Sequence, residues 1–502
     1  MSANTQSSNL TAGFIDLATY DESEKYLYGG DTAVSYFLKK LRKSTWFTVA
    51  PTVLSISGGN AGFGQAWGYK VSRAGDYLLR NWLRIQLPAV ALDQAKYSSF
   101  PQFDAQNPAA FGDFSLRWTR NLAHNLIREI NIAFNDLVAE RMDSYFLDFW
   151  AAFTIPAGKQ NGYNNMIGNY AALNDPNAVA GAPVQAIGGQ ILNLPLPFFY
   201  QRDTGVALPT AAIPYNDMII NVSFREIYEV LILDDTLNQV SYPCQSQYLT
   251  NGQVPQIYAD MWAEYAIVAN VERSQMGKAP RDILIEQVQT APKGRFDPLA
   301  QSQIDIRFSH AIKALFFAVR NKSVQAEQSN YTAASPVPGP KGVNFFPEWA
   351  TDPITETSLL YENTARLVNM GSDYFSLVVP FYTAVSIPKE TGYHMLSYTL
   401  NLVATNPMGS TNYGKLTNVS LQFVSSQDAK DASQSTGAPD EIVKGAPEQQ
   451  TYEIIVVGVN HNIIRISGGK FQRKCAFNSK LLNELRNTLI EENSVSFRPI
   501  CV

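Results

Sequence analysis

Ile130-Asn131-Ile132-Ala133-Phe134 places apolar side chains at every second position. A period of two puts Ile130, Ile132 and Phe134 on one face of a half-buried strand and Asn131 and Ala133 on the other. Working outward, Trp46 to Ile56, Tyr77 to Leu87 and Ile127 to Val138 mix β-branched with aromatic residues and are punctuated by Gly, Pro, Asn and Asp, as strands are. A helix interrupts at Asp143, where Asp143 or Ser144 caps a run holding Tyr145, Phe146, Phe149, Trp150 and Phe153. Residues 154 to 190 are rich in Gly, Asn and Ala without clear period and read as a long excursion.

A second β-rich run begins at Arg281-Asp282-Ile283-Leu284-Ile285-Glu286. Strand composition returns in Ile304 to Arg320, Tyr374 to Ile387, Tyr393 to Val403, Thr417 to Val424 and Ile454 to Ile466. The tract Ser425 to Gln450, with five acidic residues and two lysines, offers little apolar surface and is expected to be an exposed loop. Leu196-Pro197-Phe198-Phe199-Tyr200 and Val379-Pro380-Phe381-Tyr382-Thr383 echo each other at comparable places in the two halves. Two such halves suggest two similar all-β sandwiches in tandem. The expected division is an arm over 1–44, sandwiches over 45–280 and 281–479, and a tail over 480–502, where Leu481, Leu482, Leu485, Leu489 and Ile490 recur at near-helical spacing and suggest a contact with a neighbour.

In the arm, Asp31 or Thr32 is placed to cap a short helix with Val34, Phe37, Leu38 and Leu41 on one face and Lys39, Lys40, Arg42 and Lys43 on the other. Two readings stand: an element that docks on partner proteins or an acidic membrane, or a helix packed on its own domain with a solvated basic side.

The 502 residues exceed what one core organises. Charged residues are 17%, against roughly 25% in an average soluble chain, and aromatics reach 12%, with 27 Pro and 31 Gly. Such a composition suits many strands and large surfaces covered by other proteins. A net charge of −5 argues against direct nucleic-acid binding, which needs clustered Lys and Arg. Cys244, Cys475 and Cys501 imply no disulfide framework, and no basic, apolar leader or long apolar span is present, so synthesis in the cytoplasm is expected.

Reactive chemistry is sparse. His124, His310, His394 and His461 stand singly, with no HExxH, His-x-His or Cys-x-x-Cys, so no catalytic, cofactor or metal residues are assigned and no enzyme is expected. His461, between two asparagines, reads as a satisfied structural residue. Gly58-Gly59-Asn60-Ala61-Gly62-Phe63-Gly64 lacks the Lys-Ser/Thr of a phosphate loop and reads as a turn. Arg73-Ala74-Gly75-Asp76 reads as a turn with Gly75 at positive φ. Asn9, Asn221, Asn321, Asn330 and Asn418 begin Asn-x-Ser/Thr sequences taken as coincidental. Trp46, Phe47, Trp67, Trp82, Trp150 and Trp262 are expected to be mostly core, with some at interfaces.

Several blocks resemble the major capsid proteins of iridoviruses: Gly13-Phe14-Ile15-Asp16-Leu17-Ala18-Thr19-Tyr20-Asp21 with Tyr28-Gly29-Gly30, Val71 to Leu79 with Trp82-Leu83, Gly162 to Asn169, Ile283 to Val288, and Val459 to Gly469. The longest is Leu196 to Arg225, LPFFYQRDTGVALPTAAIPYNDMIINVSFR. The tract 425–450, the basic run Gly469 to Cys475 and the tail 480–502 depart from the family pattern. The resemblance implies an all-β chain of two tandem eight-stranded antiparallel jelly rolls with short helices in the loops. It implies a homotrimer forming a pseudo-hexagonal capsomer, contact with neighbouring capsomers and minor capsid proteins, and an icosahedral shell around an inner membrane and double-stranded DNA. In such a shell the docking reading of the arm, the first of its two readings, would be a contact with the inner membrane. The alternative is a lectin-like or receptor-binding double sandwich of a virion.

Overall fold

The computed structural model describes residues 4–101, 108–135, 137–177, 181–276, 280–339, 344–346, 350–435, 449–467 and 470–474. The chain divides into two compact units, Met1–Trp46 and Phe47–Val502.

In the first unit the helices are Asn4–Ala18 and Glu22–Leu27, not the one expected after Asp31. Asp21 starts the second helix with a capping box: its carboxylate accepts from the Ser23 and Glu24 amides, and the Glu24 carboxylate accepts from the Asp21 amide. Asp31 and Thr32 lack this device, since Val34 and Ser35 occupy the positions three residues on. The stripe of Val34, Phe37, Leu38 and Leu41 is exposed and has no packing to stabilise so short a helix.

The second unit holds sixteen principal strands. They are β1 Phe47–Val53, β2 Ala66–Lys70, β3 Tyr77–Gln86, β4 Ile127–Phe134, β5 Leu137–Met142, β6 Ile191–Pro195, β7 Met218–Phe224 and β8 Tyr258–Val268, then β9 Arg281–Thr290, β10 Ser302–Ile306, β11 Ala311–Asn321, β12 Ile354–Tyr361, β13 Thr364–Gly371, β14 His394–Ser397, β15 Val419–Ser425 and β16 Tyr452–Ser467. One sheet runs β1-β8-β3-β6 and its partner β2-β7-β4-β5; the second pair runs β9-β16-β11-β14 and β10-β15-β12-β13. Adding eight to each label of the first pair gives the second. Every pairing among these strands is antiparallel. Consecutive strands that cross between facing sheets in this order make a jelly roll, and the chain makes two.

Alternation survives where one face is solvated. The pattern in β7 is strictly buried and half-buried by turns, with Met218, Ile220, Val222 and Phe224 inward. It fails in β11 and in 452–460 of β16, which are buried almost throughout, and returns over 461–467. Leu315, Phe317 and Val319 with Ile454 and Val456 fill the second sandwich, while Ala314, Phe316 and Ala318 with Ile455, Val457 and Val459 join the core that continues into the first. The β9-β16-β11-β14 sheet is thus covered on both faces, which is why its strands read as continuous apolar runs. The cover on the outer face is the helix Ser144–Thr154, capped by Asp143, which accepts from the Phe146 amide at 2.8 Å. From it Phe149 and Phe153 stack on Phe316 at centroid distances of 6.0 and 5.5 Å. Edge to edge, Gln287 on β9 donates to the Ala139 carbonyl on β5.

Other expectations are corrected. Tyr374–Val378 and Val379–Thr383 are helical rather than extended; Pro380 sits in the first turn, where its missing N–H costs nothing. The pentapeptide echo does not mark equivalent places, because Leu196 to Tyr200 follows β6 whereas Val379 to Thr383 precedes β14. The excursion after residue 154 contains the helix Ala157–Ile167, ended by Gly168 at φ 77°. Ser426 caps a helix over Gln427–Ser433 that buries Ala429 and Ala432, so the start of the polar tract is ordered; 436–448 and the tail 480–502 lie outside the described residues. Gly59 and Gly64 take positive φ, as a turn requires, but Gly75 does not. A Cβ on Gly75 would lie 2.5 Å from that of Tyr265, so close packing is what demands glycine there.

Candidate functional site

Because strands alternate in direction, the connections after odd-numbered strands gather at one end of each sandwich. That end carries the long connections that follow β3, β5 and β7 in the first and β11, β13 and β15 in the second, while the opposite end has a turn as short as 362–363. The two long-loop ends meet. Arg117, from the short strand Phe114–Trp118, reaches Asp234 Oδ2 at 2.8 Å and Glu327 Oε2 at 2.6 Å, and all three side chains are buried. Arg120 adds Glu327 Oε1 at 3.4 Å, the Ser329 carbonyl at 3.2 Å and Glu390 at 3.6 Å. Burial alone would push the Glu327 carboxyl up, but Arg117 and Arg120 hold it below the usual range. Charges drawn from four connections thus lock the sandwiches in one arrangement.

Beside this lock, His124 joins Asp148 at 2.6 Å through Nδ1 and the Tyr163 hydroxyl at 2.7 Å through Nε2. Asp148 also accepts from Ser329 and Tyr331. The arrangement orients an imidazole as a catalytic triad does, yet its third member is a phenol whose pKa burial raises further, and no activated nucleophile results. His394 Nε2 meets both Asp352, at 2.7 Å, and Ser372, at 2.8 Å. Ser372 in turn donates to Asp352. One nitrogen serves both partners, so the serine has no relay through the ring. Among the described residues no three His, Cys, Asp or Glu side chains converge as metal ligands.

Deeper in the junction, Lys313 pairs with Glu286 and donates to the Ala404 carbonyl at 2.6 Å. Glu140 accepts from the Phe199 amide at 2.8 Å; burial, opposed by Arg202, pushes its carboxyl up to about 8. His461 is not the satisfied residue expected. Both ring nitrogens are buried without a hydrogen-bond partner among the described residues, and burial pulls its pKa down.

The aromatic expectation divides. Trp67 is buried, and Trp82 stacks on Trp262 at 5.7 Å across β3 and β8, both half-buried. Trp150 is also half-buried, whereas Trp46 and Phe47 are exposed. The helix Val379–Thr383 presents Phe381 and Tyr382, 68% and 76% exposed, near exposed Leu377 in sequence. Exposed rings in numbers mark surfaces that other proteins cover. Cys244 is buried and Cys475 and Cys501 lie outside the described residues. Asn321 and Asn330 are buried, which closes two of the five Asn-x-Ser/Thr positions to modification in the folded chain.

Among solved structures, the chain resembles one built into a quasi-atomic model of the PBCV-1 virus capsid, with a TM-score of 0.67 at 17% identity, covering 88% of this chain and 100% of that one. It also resembles the Faustovirus major capsid protein, with a TM-score of 0.64 at 12% identity, covering 89% and 95%. The architecture is that of a double jelly-roll viral coat subunit. Residues 35–268 match the family described as major capsid protein N-terminus, and 272–471 match large eukaryotic DNA virus major capsid protein. The major capsid protein of Costelytra zealandica iridescent virus is 56% identical over 472 residues, covering 92% of this chain and 98% of the relative; that of Lymphocystis disease virus 1 is 44% identical over 465 residues, covering 92% and 97%. The chain belongs to the family of major capsid proteins of large eukaryotic DNA viruses. It is a component of the virion capsid, in a family of structural proteins rather than enzymes.

Proposed function

We propose that three copies of this chain close into a pseudo-hexagonal capsomer, and that capsomers tile an icosahedral shell around an inner membrane and a double-stranded DNA genome. One observation carries the reading: two jelly rolls of identical strand order stand side by side in one chain. A chain with two equivalent corners yields six under threefold symmetry, and closed symmetry stops growth at the capsomer. The exposed aromatic surfaces, with a charge content of only 17%, suit obligate contacts between copies.

In this reading the sandwiches are bounded at 45–280 and 281–479, and the tail 480–502 contacts a neighbour. The arm, 1–44, turns its exposed apolar residues and Lys39, Lys40, Arg42 and Lys43 to the inner membrane. Assembly takes place in the host cytoplasm with minor capsid proteins, and the subunit itself neither touches the genome nor performs catalysis. Mass photometry and negative-stain microscopy of the purified chain test this. Trimers of roughly hexagonal outline are expected; a stable monomer with no larger species at micromolar concentration overturns it.

A further inference from the structure

We infer that the helical ridge Tyr374–Thr383 of one copy docks on the outer face of the β1-β8-β3-β6 sheet of the next copy. The inference rests on the trimer reading above and names the surfaces that would close it. The pattern for the contact is already present inside the chain. In the second sandwich a row of side chains, Thr290, Val457, Phe316 and Met395, crosses β9, β16, β11 and β14. Phe316, Val457 and Met395 are sealed from solvent. The helix Ser144–Thr154 lies on this face: Phe149 and Phe153 stack on Phe316, and Thr290 donates to Asp143, the cap of that helix, at 3.1 Å.

In the first sandwich the equivalent row is Val53, Trp262, Trp82 and Pro195, across β1, β8, β3 and β6. It lies on the face opposite Leu83, Met261 and Leu194, which point into the core. Val53 is 49% exposed and the other three are half-buried; Ile191 and Tyr258, on the same face, are exposed. A sheet face with two stacked indoles is thus solvated where its counterpart is dry.

The counterpart of the covering helix is free as well. Ser144–Thr154 follows β5 and begins after Asp143; Tyr374–Thr383 follows β13 and begins after Asp373. It turns Phe375, Val379 and Pro380 inward and leaves Leu377, Val378, Phe381 and Tyr382 exposed. Leu377 and Phe381 repeat the four-residue spacing of Phe149 and Phe153. The strand edges agree. β9 meets β5 through Gln287 and the Ala139 carbonyl, whereas their counterparts β1 and β13 are sheet edges with exposed side chains. The first sandwich therefore offers a helix to the second within one copy, and the second offers the equivalent helix to a face that another copy supplies. Such a contact joins unlike surfaces head to tail, and a ring of alternating sandwiches closes it. Both surfaces are chiefly apolar, so their burial drives the association.

The test uses the purified full chain, with sedimentation to follow assembly and circular dichroism to follow folding. Phe381→Asp puts a charge on the ridge and Val53→Asp puts one on the sheet face. Both positions are exposed in the single copy, so each variant should fold while trimer formation weakens roughly a hundredfold. Val424→Asp, at an exposed position in the β10-β15-β12-β13 sheet, should assemble as the unmodified chain does. Should Phe381→Asp or Val53→Asp fail to fold, Leu377→Asp or Val49→Asp takes its place. Contact is read directly with a photoreactive benzophenone side chain in place of Phe381, in trimers mixed from isotope-labelled and unlabelled copies. Crosslinks between copies are expected to fall in Phe47–Val53, Tyr77–Gln86 or Tyr258–Val268. An unmodified chain that stays monomeric overturns the trimer reading and this inference with it. Trimers that persist in both the ridge and the sheet-face variants, as they would if the arm or another protein covered these faces, overturn the inference alone. Loss of trimers in Val424→Asp, or crosslinks between copies that fall elsewhere, does the same.

Discussion

Arg117 Nη1 lies 2.6 Å from Glu327 Oε2, and the two residues, 210 apart in sequence, are both sealed from solvent. One belongs to the first sandwich's long-loop end and the other to the second's. A buried pair gives little net stability over an apolar replacement, but removing one partner leaves the other charge stranded. Glu327→Gln strands Arg117 in part, with Asp234 remaining, and leaves Arg120 with the Ser329 carbonyl and its longer contact to Glu390. We expect it to cost about 3–5 kcal/mol in urea unfolding. Arg117→Met should cost as much, and the double variant less than the sum of the two. Strict additivity in that cycle would show that the pair is not coupled.

Glu140 gives the junction a pH dependence of definite sign. Burial raises its carboxyl from 4.5 to about 8, so between those values the folded chain holds a proton that the unfolded chain has released. Stability tied to this group is therefore greatest at and below about 4.5, falls as pH rises towards about 8, and levels off above it. Glu140→Gln fixes the neutral form. Its Tm should decline less than that of the unmodified chain between pH 5 and 8.5, with the two curves furthest apart at the alkaline end. Parallel curves would refute the assignment.

What the sequence disclosed follows the range of the forces involved. The alternation at Ile130 to Phe134 is a local signal of a strand with unlike faces, and β4 lies where it pointed. The capped helix after Asp143 was equally legible, since cap and apolar stripe are contiguous. The doubled strand order was reached through resemblance; the pentapeptide offered for it lies at unequal places. Tyr374 to Thr383 misled because aromatic and β-branched composition does not separate a strand from a short helix held by its neighbours. The lock of Arg117, Asp234 and Glu327 had no local signature, because each residue is an ordinary charged side chain until the fold removes its solvent.

Phe316 and Phe317 are neighbours that report on different interfaces. Phe316 faces outward from β11 and stacks on Phe149 and Phe153 of the helix Ser144–Thr154. Phe317 faces the interior of the second sandwich, against Phe375, His394 and Phe423. Both are fully buried, so truncating either to alanine should cost about 3–5 kcal/mol through lost burial and the cavity left behind. The locations of the damage should differ. Hydrogen exchange in Phe316→Ala should accelerate in the helix Ser144–Thr154 while β12 and β15 keep their protection, because the cavity opens between the sandwiches. Phe317→Ala should expose β15 amides and leave that helix protected. If both variants loosen the same amides to the same degree, the β9-β16-β11-β14 sheet does not separate two independently packed cores.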